Sequence, residues 1–567
     1  MSELPKGWMK VPVDDVCQIV RGITFPAAEK RFESGAGLIA CLRTANVQAN
    51  VEWDDLWFVP QRYVKNDEQL VTPDDILIST ANSYELVGKV SRVTHTKFRS
   101  TLGAFISLLR TYKGVDAGFL YFQMSSESVQ RSIREMSSTT TNISNVSGAK
   151  LKTLGLHLAP SAEQARIVAK LEELLSDLDA GVAELKAAQK KLAQYRQSLL
   201  KAAVEGALTA EWRKARQTPL PPGGGGAGGE GETGTVTPRP PLPHPSPTRG
   251  EGNEGESGAQ LLQRILQERR ARWEAKQLAK FAEQGKTPPK DWQSKYPEPV
   301  QPDTTDLPEL PEGWVWASGE QLCEFITKGT TPPKELDSGA EKTVPFLRVT
   351  NLTDRGELDL ADKVFVAPET HQGFLARSTV YPNDVLMNIV GPPLGQVSVV
   401  PETFDEWNIN QAIAIFRAVE GVLPWFICRY LLSPGAQRWL KARSKTTAGQ
   451  TNLTLEVCRG LPIPLPPKDE QQALLASLEM ALSSLEHQSN AIDLSLKQST
   501  AQRQNILRAA FAGQLVPQDP NDEPASALLA RIRAERAARG LDKGPRARGG
   551  KKVVDNFGLS HPNSEKV

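Results

Sequence analysis

The sequence predicts an α+β protein: two similar α+β globules joined by two long antiparallel coiled-coil helices, as a pseudo-two-fold internal duplication. Three observations lead to this fold class. Short motifs recur along the 567-residue chain at a nearly constant offset. Each recurring stretch ends in a leucine pattern of period seven. The length itself, at about 150 residues per domain, allows three to four domains.

The internal repeat keeps one register, with offsets between 305 and 307 residues. Leu4–Trp8 recurs as Leu310–Trp314, with the pattern Leu-Pro-x-Gly-Trp in both places. The further matches are Gly22–Pro26 with Gly329–Pro333, Leu42–Asn46 with Leu347–Asn351, Val87–Val90 with Leu394–Val397, Ser144–Ser147 with Thr451–Thr454, Glu163-Gln164 with Glu470-Gln471, and Gly206 with Gly513. We therefore predict two copies of a unit of about 210 residues, each large enough to bury its own core.

The first part of each copy is predicted to be a globular domain, over residues 1–159 and 306–466. Short apolar runs alternate there with turn signals. Val71–Ile78 predicts a turn that enters a strand, and Tyr381–Met387 repeats this pattern in the second copy. Such a pattern favours an α+β domain with much loop.

The second part of each copy is predicted to be a spacer helix, over residues 160–213 and 467–516. Ser161 and Gln164 fit a capping box at the start of the first helix. The seam positions are Leu171, Leu178, Leu185, Leu192 and Leu199, with Val168, Leu175 and Val182 beside them, and in the second copy Leu478, Leu485, Ile492, Ser499 and Ile506, with Leu475, Leu482 and Leu496. A sustained period of seven indicates a coiled coil, and the alternative is a long surface helix packed on its own globule. Each helix spans about 44 residues, or roughly 65 Å.

The rest of the chain divides into three segments. Residues 214–258 are predicted to be a disordered linker, since Gln217–Gly258 contains 12 Gly and 9 Pro in 42 residues. Residues 259–305 are predicted to be a helical connector, because Leu261–Ile265 matches Leu528–Ile532 at an offset of 267. Residues 517–567 are predicted to be a basic C-terminal helix and tail.

Charge and cysteine content restrict the class of protein. The 67 basic and 66 acidic side chains argue against attachment to nucleic acid by bulk charge, although a local basic face is compatible with them. The five cysteines form no CxxC pair, which argues against structural zinc and for a reducing compartment. No apolar leader and no long apolar run occur, so we expect a cytoplasmic protein with no membrane span.

Catalytic motifs are not found in the sequence. It contains no Walker A loop, no Asn-Pro-Pro-aromatic motif of amino-methyltransferases and no HExxH pair among the six histidines. Pro73-Asp74 is not followed within twenty residues by the ExK of a PD…ExK nuclease. We therefore expect no catalytic residues, no metal and no cofactor, and a binding protein rather than an enzyme.

The repeated motifs, taken in order, resemble the specificity subunit of type I restriction–modification systems. The resemblance depends on the motifs above occurring twice in the same order, together with Ala203–Leu208 and Ala510–Leu515. It covers nearly the whole chain except residues 217–258 and about the last 25 residues. It implies two target recognition domains, each reading one half of a split sequence in double-stranded DNA. It also implies that the helices set the spacing and dock methyltransferase subunits.

The family resemblance also implies partners that carry out the chemistry. Two methyltransferase (modification) subunits and two restriction subunits, which are ATP-dependent translocase-nucleases, are expected. Adenine methylation and DNA cleavage then belong to these partner chains. The basic tail, Arg531–Lys552, carries a net charge of +7 and is expected to contact DNA phosphates or a partner subunit, or else to be a solvated helix end.

Two groups of residues are candidates for contact with DNA. The first is a polar loop before each Ser/Thr-Asn match, and its members are Thr140 and Asn142 in copy one and Lys445, Thr447 and Gln450 in copy two. Hydroxyl, amide and ammonium groups suit phosphate and base-edge hydrogen bonds. The second is a basic run of Lys89, Arg92, Lys97 and Arg99. An ordinary polar loop and a solvated charged face are the alternatives.

Two other functions stay open at this point. One is a single-chain DNA-modifying or DNA-cleaving enzyme with a divergent active site. The other is a coiled-coil scaffold that binds no nucleic acid.

The pairs Arg43 with Asn46 and Arg348 with Asn351 occur in both copies, which favours a structural or phosphate-binding role over base readout.

Overall fold

The computed structural model describes residues 4–140, 142–217, 255–332, 341–447 and 449–539, and it has the predicted α+β class. Most of the proposed linker and the end of the basic tail, residues 218–254 and 540–567, lie outside these ranges. No helix in the described ranges is long and apolar enough to cross a bilayer.

The first globule contains twelve short strands and three helices within its described residues. Its strands are β1 Met9–Pro12, β2 Cys17–Arg21, β3 Leu38–Leu42, β4 Trp57–Pro60, β5 Ile76–Ser79, β6 Ala81–Asn82, β7 Val90–Arg92, β8 Ser100–Leu102, β9 Ile106–Thr111, β10 Ser138–Thr140, β11 Ile143–Asn145 and β12 Gly155–Leu158. Its helices are α1 Ala117–Ser125, α2 Glu127–Met136 and α3 Gly148–Lys152. Three further helices follow, α4 Ser161–Val204, α5 Ala210–Gln217 and α6 Gly258–Glu283.

The second globule repeats the first strand by strand. Its strands are β13 Val315–Ser318, β14 Cys323–Lys328, β15 Val344–Leu347, β16 Val364–Val366, β17 Val385–Asn388, β18 Val390–Gly391, β19 Val397–Val399, β20 Asn408–Ile409, β21 Ile413–Ala418, β22 Lys445–Thr447, β23 Gln450–Asn452 and β24 Pro462–Leu465. Its helices are α7 Gly319–Leu322, α8 Pro368–Gln372, α9 Pro424–Leu431, α10 Pro434–Arg443 and α11 Leu455–Gly460, and the chain continues into α12 Lys468–Phe511 and α13 Ala525–Ala538.

The sheet topology confirms the internal duplication. The largest sheet has the order β2-β9-β5-β7 in the first globule and β14-β21-β17-β19 in the second. Two three-stranded sheets, β4-β3-β8 and β10-β11-β6, correspond to β16-β15-β20 and β22-β23-β18. The pair β1-β12 corresponds to β13-β24. The repeated motifs therefore mark two copies of one fold.

Each globule forms one compact unit together with a part of α4 and a part of α12. Unit 1 contains the residues up to 186 and those from 493 onward, and unit 2 contains residues 187–492. Both α4 and α12 are 44 residues long, which confirms the predicted helix length. In unit 1 the two helices run antiparallel, since Asp179 pairs with Arg503 whereas the earlier Arg166 pairs with Asp522, beyond the end of α12.

The heptad seam is buried mainly where the helices meet their globule. Leu171 and Leu175 are buried in unit 1, and they share a core with Trp8, Leu507 and Phe511. In unit 2 the buried seam positions include Leu199, Leu478, Leu482 and Leu485. Leu178 and Leu185 are half-buried. The helices thus pack both on each other and on the globules, so the coiled coil and its surface-helix alternative each describe part of the seam.

The predicted capping box at the start of α4 is wrong. Ser161 Oγ donates a hydrogen bond to Gly114 O (2.6 Å), and Gln164 Oε1 accepts one from Asp116 N (2.9 Å). Gln471 makes the corresponding bond in unit 2, accepting from Leu423 N (2.9 Å). These side chains therefore attach the long helices to the globules instead of closing the helix on itself.

The Leu-Pro-x-Gly-Trp and Glu-Gln motifs recur because they contact each other. Trp8 Nε1 donates to Glu163 Oε2, and Trp314 Nε1 donates to Glu470 Oε2, both at 2.9 Å. Both carboxyl groups are buried. The two repeated motifs thus form the junction between a globule and its long helix.

The displaced Leu-Leu-x-Arg-Ile element occupies equivalent places in the two units. In unit 2, Gly258 N at the start of α6 donates to Gly313 O (2.7 Å). In unit 1, Ala525 N at the start of α13 donates to Gly7 O (2.9 Å). The leucines and isoleucines of both helices are buried against their globules, namely Leu261, Ile265, Leu528, Leu529 and Ile532. Helix α13 therefore completes the first globule and α6 the second.

Candidate nucleic-acid interface

The predicted polar loops form hairpins with short strands. Strands β10 and β11 pair from Ser138 opposite Asn145 to Thr140 opposite Ile143, and β22 and β23 pair in the same way. Each hairpin adds to a two-residue strand, β6 in the first globule and β18 in the second. A side-chain contact crosses each hairpin, Thr139 Oγ1 to Ser144 Oγ at 2.8 Å and Thr446 Oγ1 to Thr451 Oγ1 at 3.4 Å.

The matched Ser/Thr-Asn motif anchors the base of each hairpin. Val146 N donates to Thr80 O (3.0 Å), and Leu453 N donates to Ile389 O (2.9 Å). Ser147 and Thr454 then accept hydrogen bonds from the first turn of α3 and of α11, as N-caps. These motif residues therefore hold the hairpin, which leaves its tip as the variable part.

Four of the five candidate residues of the polar loops lie at or next to the hairpin turns, whereas Lys445 lies at the base of the second hairpin, opposite Asn452. Asn142 has a positive φ of 72° and turns the first hairpin, and Gly449 with a φ of 79° lies in the second turn. Thr140, Asn142, Lys445 and Gln450 are all exposed. The backbone of Thr447 pairs with Gln450 across β22 and β23. The exposed side chains of Thr140, Asn142, Lys445 and Gln450 therefore have hydrogen-bonding groups that an external ligand can reach.

Three members of the basic run have partners within the protein. Arg92 forms ion pairs with Asp74 (2.8 Å) and Glu172 (3.3 Å), so it connects the first globule to α4. Lys97 pairs with Asp54 (3.0 Å), and Lys89 Nζ donates to Gln48 Oε1. Arg99 is exposed and has no ion pair within the described ranges. Arg99 is thus the member of the run whose charge is least compensated.

The Arg and Asn residues shared by both copies have a structural role. Asn46 Oδ1 accepts from Arg43 N (2.8 Å), and its amide nitrogen donates to Glu52 O (2.9 Å). Asn351 repeats these bonds with Arg348 N (2.9 Å) and Asp359 O (2.9 Å). Both asparagines are buried, so they close a turn and are not available for a ligand.

A groove of about 450 Å³ lies beside the first hairpin and was not predicted from the sequence. The exposed Phe105 side chain, Arg21 and Lys150 line it together with Ser138 and Asn145 of the hairpin. Lys150 Nζ donates to Met136 O (2.6 Å) and so holds the base of the hairpin. These residues lie far apart in sequence, and only the pairing of β6 with β11 brings them together.

The buried cysteines and two buried aspartates lie in the cores of the globules. All five cysteines are free and buried, and burial raises the pKa of each thiol, to about 12 for Cys41. Asp75 and Asp384 are buried beside Arg110 and Arg417, at 2.7 and 2.6 Å. No group of three His, Cys, Asp or Glu side chains within the described ranges is placed to hold a metal ion. The surface at the hairpins offers hydrogen bonds and charge rather than a nucleophile.

Comparison with known proteins gives consistent matches. The family model described as the type I restriction modification DNA specificity domain matches residues 5–188 and 311–492. The type I restriction enzyme EcoKI specificity subunit of Escherichia coli (strain K12) is 25% identical over 96% of this chain and 99% of its own length. The StySPI specificity subunit of Salmonella potsdam is 32% identical over 38% of this chain and 46% of its own length.

A solved structure shows the same fold. It is described as "Structural basis underlying complex assembly and conformational transition of the type I R-M system". It is 16% identical, has a TM-score of 0.57, and the match covers 91% of this chain and 100% of the other.

Proposed function

The chain belongs to the type I restriction modification DNA specificity domain family, which matches both of its repeats, and on this premise we propose that it is the DNA-recognition subunit of a type I restriction–modification complex. Each globule, over residues 1–159 and 306–466, reads one half of a bipartite target in double-stranded DNA. The two long helices, over residues 160–213 and 467–516, set the spacing of the half-sites and dock the methyltransferase subunits.

One observation carries this proposal: the two globules share a fold but present different side chains at the hairpin tips. The turn residue Asn142 corresponds to Gly449, and its neighbour Ile143 corresponds to Gln450, whereas Thr140 and Thr447 are the same residue type. At the base of the hairpin, Ser138 corresponds to Lys445. A common scaffold with different exposed donors and acceptors fits a protein that reads two different half-sites.

The tip residues and the exposed Arg99 are the contacts that we propose first. Lys445 and Arg99 suit phosphate oxygens, while Thr140, Asn142, Thr447 and Gln450 suit base edges. Lys89, Arg92 and Lys97 each have an internal partner, and a phosphate would have to compete with it. We therefore consider these three residues as DNA contacts only after the tip residues and Arg99.

The chemistry in this proposal belongs to partner chains, two methyltransferase subunits and two restriction subunits. Membership in the DNA specificity domain family supports a recognition role for this chain. The alternative, a single-chain modifying enzyme, requires the purified chain to methylate or cleave DNA by itself.

A domain exchange tests the proposal. Replacing residues 1–155 by the matching part of a relative should change one half of the methylated sequence and leave the other half unchanged. Sequencing of methylated sites in the assembled complex measures this result. A chimera that changes both half-sites together contradicts the assignment of one half-site to each unit, and methylation by the chain alone supports the single-chain enzyme.

A further inference from the structure

A second variable segment lies directly beside each hairpin. In unit 1, five residues, Ser83–Val87, connect the end of β6 to Gly88. In unit 2, three residues, Pro392–Leu394, connect the end of β18 to Gly395. We call these segments loop one and loop two. They differ in both length and sequence, although each ends at an equivalent glycine, Gly88 in unit 1 and Gly395 in unit 2.

The frame around the two loops is the same in both units. Gly88 N donates to Ser79 O (2.8 Å), and Gly395 N donates to Asn388 O (3.0 Å). Both glycines have a positive φ, 88° and 80°, where a side chain is strained. A Cβ at Gly88 would also lie 2.6 Å from Ile133. The end point of each loop is therefore fixed by its backbone.

A glutamine on the neighbouring helix holds each loop in the same manner. Gln130 Nε2 on α2 donates to Gly88 O (2.8 Å) and Met124 O (2.7 Å). Gln437 Nε2 on α10 donates to Gly395 O (2.9 Å) and Leu431 O (2.7 Å). Two loops of different sequence are thus presented from one scaffold.

The strand register places each loop next to a hairpin tip. Asn82 pairs with Ser144, so loop one leaves β6 in the direction of Ile143 and the turn at Asn142. Gly391 pairs with Thr451, so loop two leaves β18 in the direction of Gln450. In unit 2, loop two and Thr451 line one cavity of about 470 Å³. The strand register therefore places each loop beside its hairpin.

The exposed side chains on this surface are apolar or cationic, and both kinds can contact DNA. Tyr84, Leu86 and Ile143 are large apolar residues with exposed fractions of 50%, 44% and 50%. Such groups fit the methyl group of thymine in the major groove. Beside loop two, the exposed cations Arg438, Lys441 and Lys445 have no ion pair within the described ranges, which favours a phosphate backbone as their partner.

From these observations we infer that loop one and loop two determine which bases each unit recognises, together with the hairpin tips. Gln130 and Gln437 are positioning residues that hold these loops. The inference rests on the proposed function, since it assigns the base edges of duplex DNA to this surface. Loop two presents two prolines without backbone N–H groups, so it offers a different set of contacts from the tyrosine and leucine of loop one.

The test uses the full-length chain assembled with its methyltransferase subunits. The double variant Tyr84→Ala/Leu86→Ala should relax discrimination at base pairs of one half-site by roughly tenfold or more and leave the other half-site unchanged. Phe32→Ala is the matched control, because Phe32 is an exposed aromatic residue (77%) outside the loop and the hairpin. Discrimination is measured by sequencing methylated sites and by competition binding with probes that carry single base-pair changes.

The glutamines give a paired test of positioning. Gln130→Leu should relax one half-site only, and Gln437→Leu only the other, whereas a purely structural role would lower the amount of complex without changing the motif. Unchanged discrimination in the Tyr84/Leu86 variant, or an equal change in the Phe32 control, overturns the inference. Failure of the unaltered complex to methylate a bipartite site overturns the proposed function itself, so the two failures are distinguishable.

Discussion

The equivalent buried carboxyl groups Glu163 and Glu470 have unequal partners. Glu470 Oε1 accepts hydrogen bonds from Thr209 (2.7 Å) and Arg213 in addition to the bond from Trp314 to its other oxygen. No donor within the described ranges reaches Glu163 Oε1. Burial accordingly raises the pKa of Glu163, although Trp8 and Arg166 act in the opposite direction.

This difference predicts unequal losses of stability from two matched substitutions. Glu470→Gln leaves the largely buried Arg213 without its carboxylate, and we expect it to destabilise unit 2 by about 3 kcal/mol. Glu163→Gln removes no ion pair and should cost less. Thermal unfolding of both variants measures this order. A larger loss from Glu163→Gln contradicts the unequal pairing.

The raised pKa of Glu163 also predicts a pH dependence. Because the folded pKa lies above the unfolded value, the contribution of this residue to stability is complete below the unfolded pKa and is lost as the pH rises through the folded pKa. Glutamine does not ionise, so the stability of Glu163→Gln relative to the unaltered chain should increase from about pH 5 to about pH 8. Unfolding temperatures at the two pH values test this; a constant difference contradicts it.

At the scale of residues, the sequence identifies the tips but not their neighbours. Thr140 and Gln450 lie close before a motif that recurs in both copies, so the sequence alone locates them. Tyr84 and Phe105 become neighbours of the tips only through the pairing of β6 with β11, a contact between residues some 60 positions apart. The ion pair of Arg92 with Glu172 likewise depends on a helix residue 80 positions further on.

At the scale of elements, the two long helices are the part best predicted. Seven-residue periodicity persists through 44 residues, and this length outweighs local ambiguity. The hairpins are three-residue polar strands, which lack the apolar alternation that marks a strand. Their pairing is decided by β6 and β18, so the sequence predicted loops there.

The seam predicts a graded response to substitution. Leu485→Asp places a carboxylate at a buried position (8% exposed), where an unpaired charge costs about 3–5 kcal/mol. Leu178→Asp falls at a half-buried position and should cost less. Leu494→Asp on the same helix is the control, since Leu494 is 56% exposed. Thermal stability and co-purification with the methyltransferase subunit measure the series; an equal effect of Leu494→Asp shows that the seam is not the cause.

At the scale of the whole molecule, spacing and flexibility belong to different segments. Deletion of residues 218–254 should leave the half-site spacing unchanged, because the second copy needs only 16 residues between Gly513 and Leu529 where the first has 56 between Gly206 and Leu262. Loop closure over a longer segment costs only about 0.6 kcal/mol per doubling of length.

Insertion of one heptad after Leu185 should have the opposite result. It lengthens α4 where this helix passes from unit 1 into unit 2, and it should change the half-site spacing or abolish specific binding. Sequencing of methylated sites compares the deletion variant with the insertion variant. If the linker deletion changes the half-site spacing and the heptad insertion does not, then the linker and not the long helix sets this spacing.

The position of α13 in unit 1 has a consequence for synthesis on the ribosome. Unit 2 is one continuous segment, but the core of unit 1 includes Leu528 and Ile532. After the first segment of unit 1 is synthesised, roughly 350 further residues must therefore be added before its core is complete. At 5–20 residues per second this takes about 20 to 70 s. Protease treatment of stalled nascent chains should show that residues 187–492 become resistant before residues 4–186 do. The half of the protein that is made first is the half that is finished last.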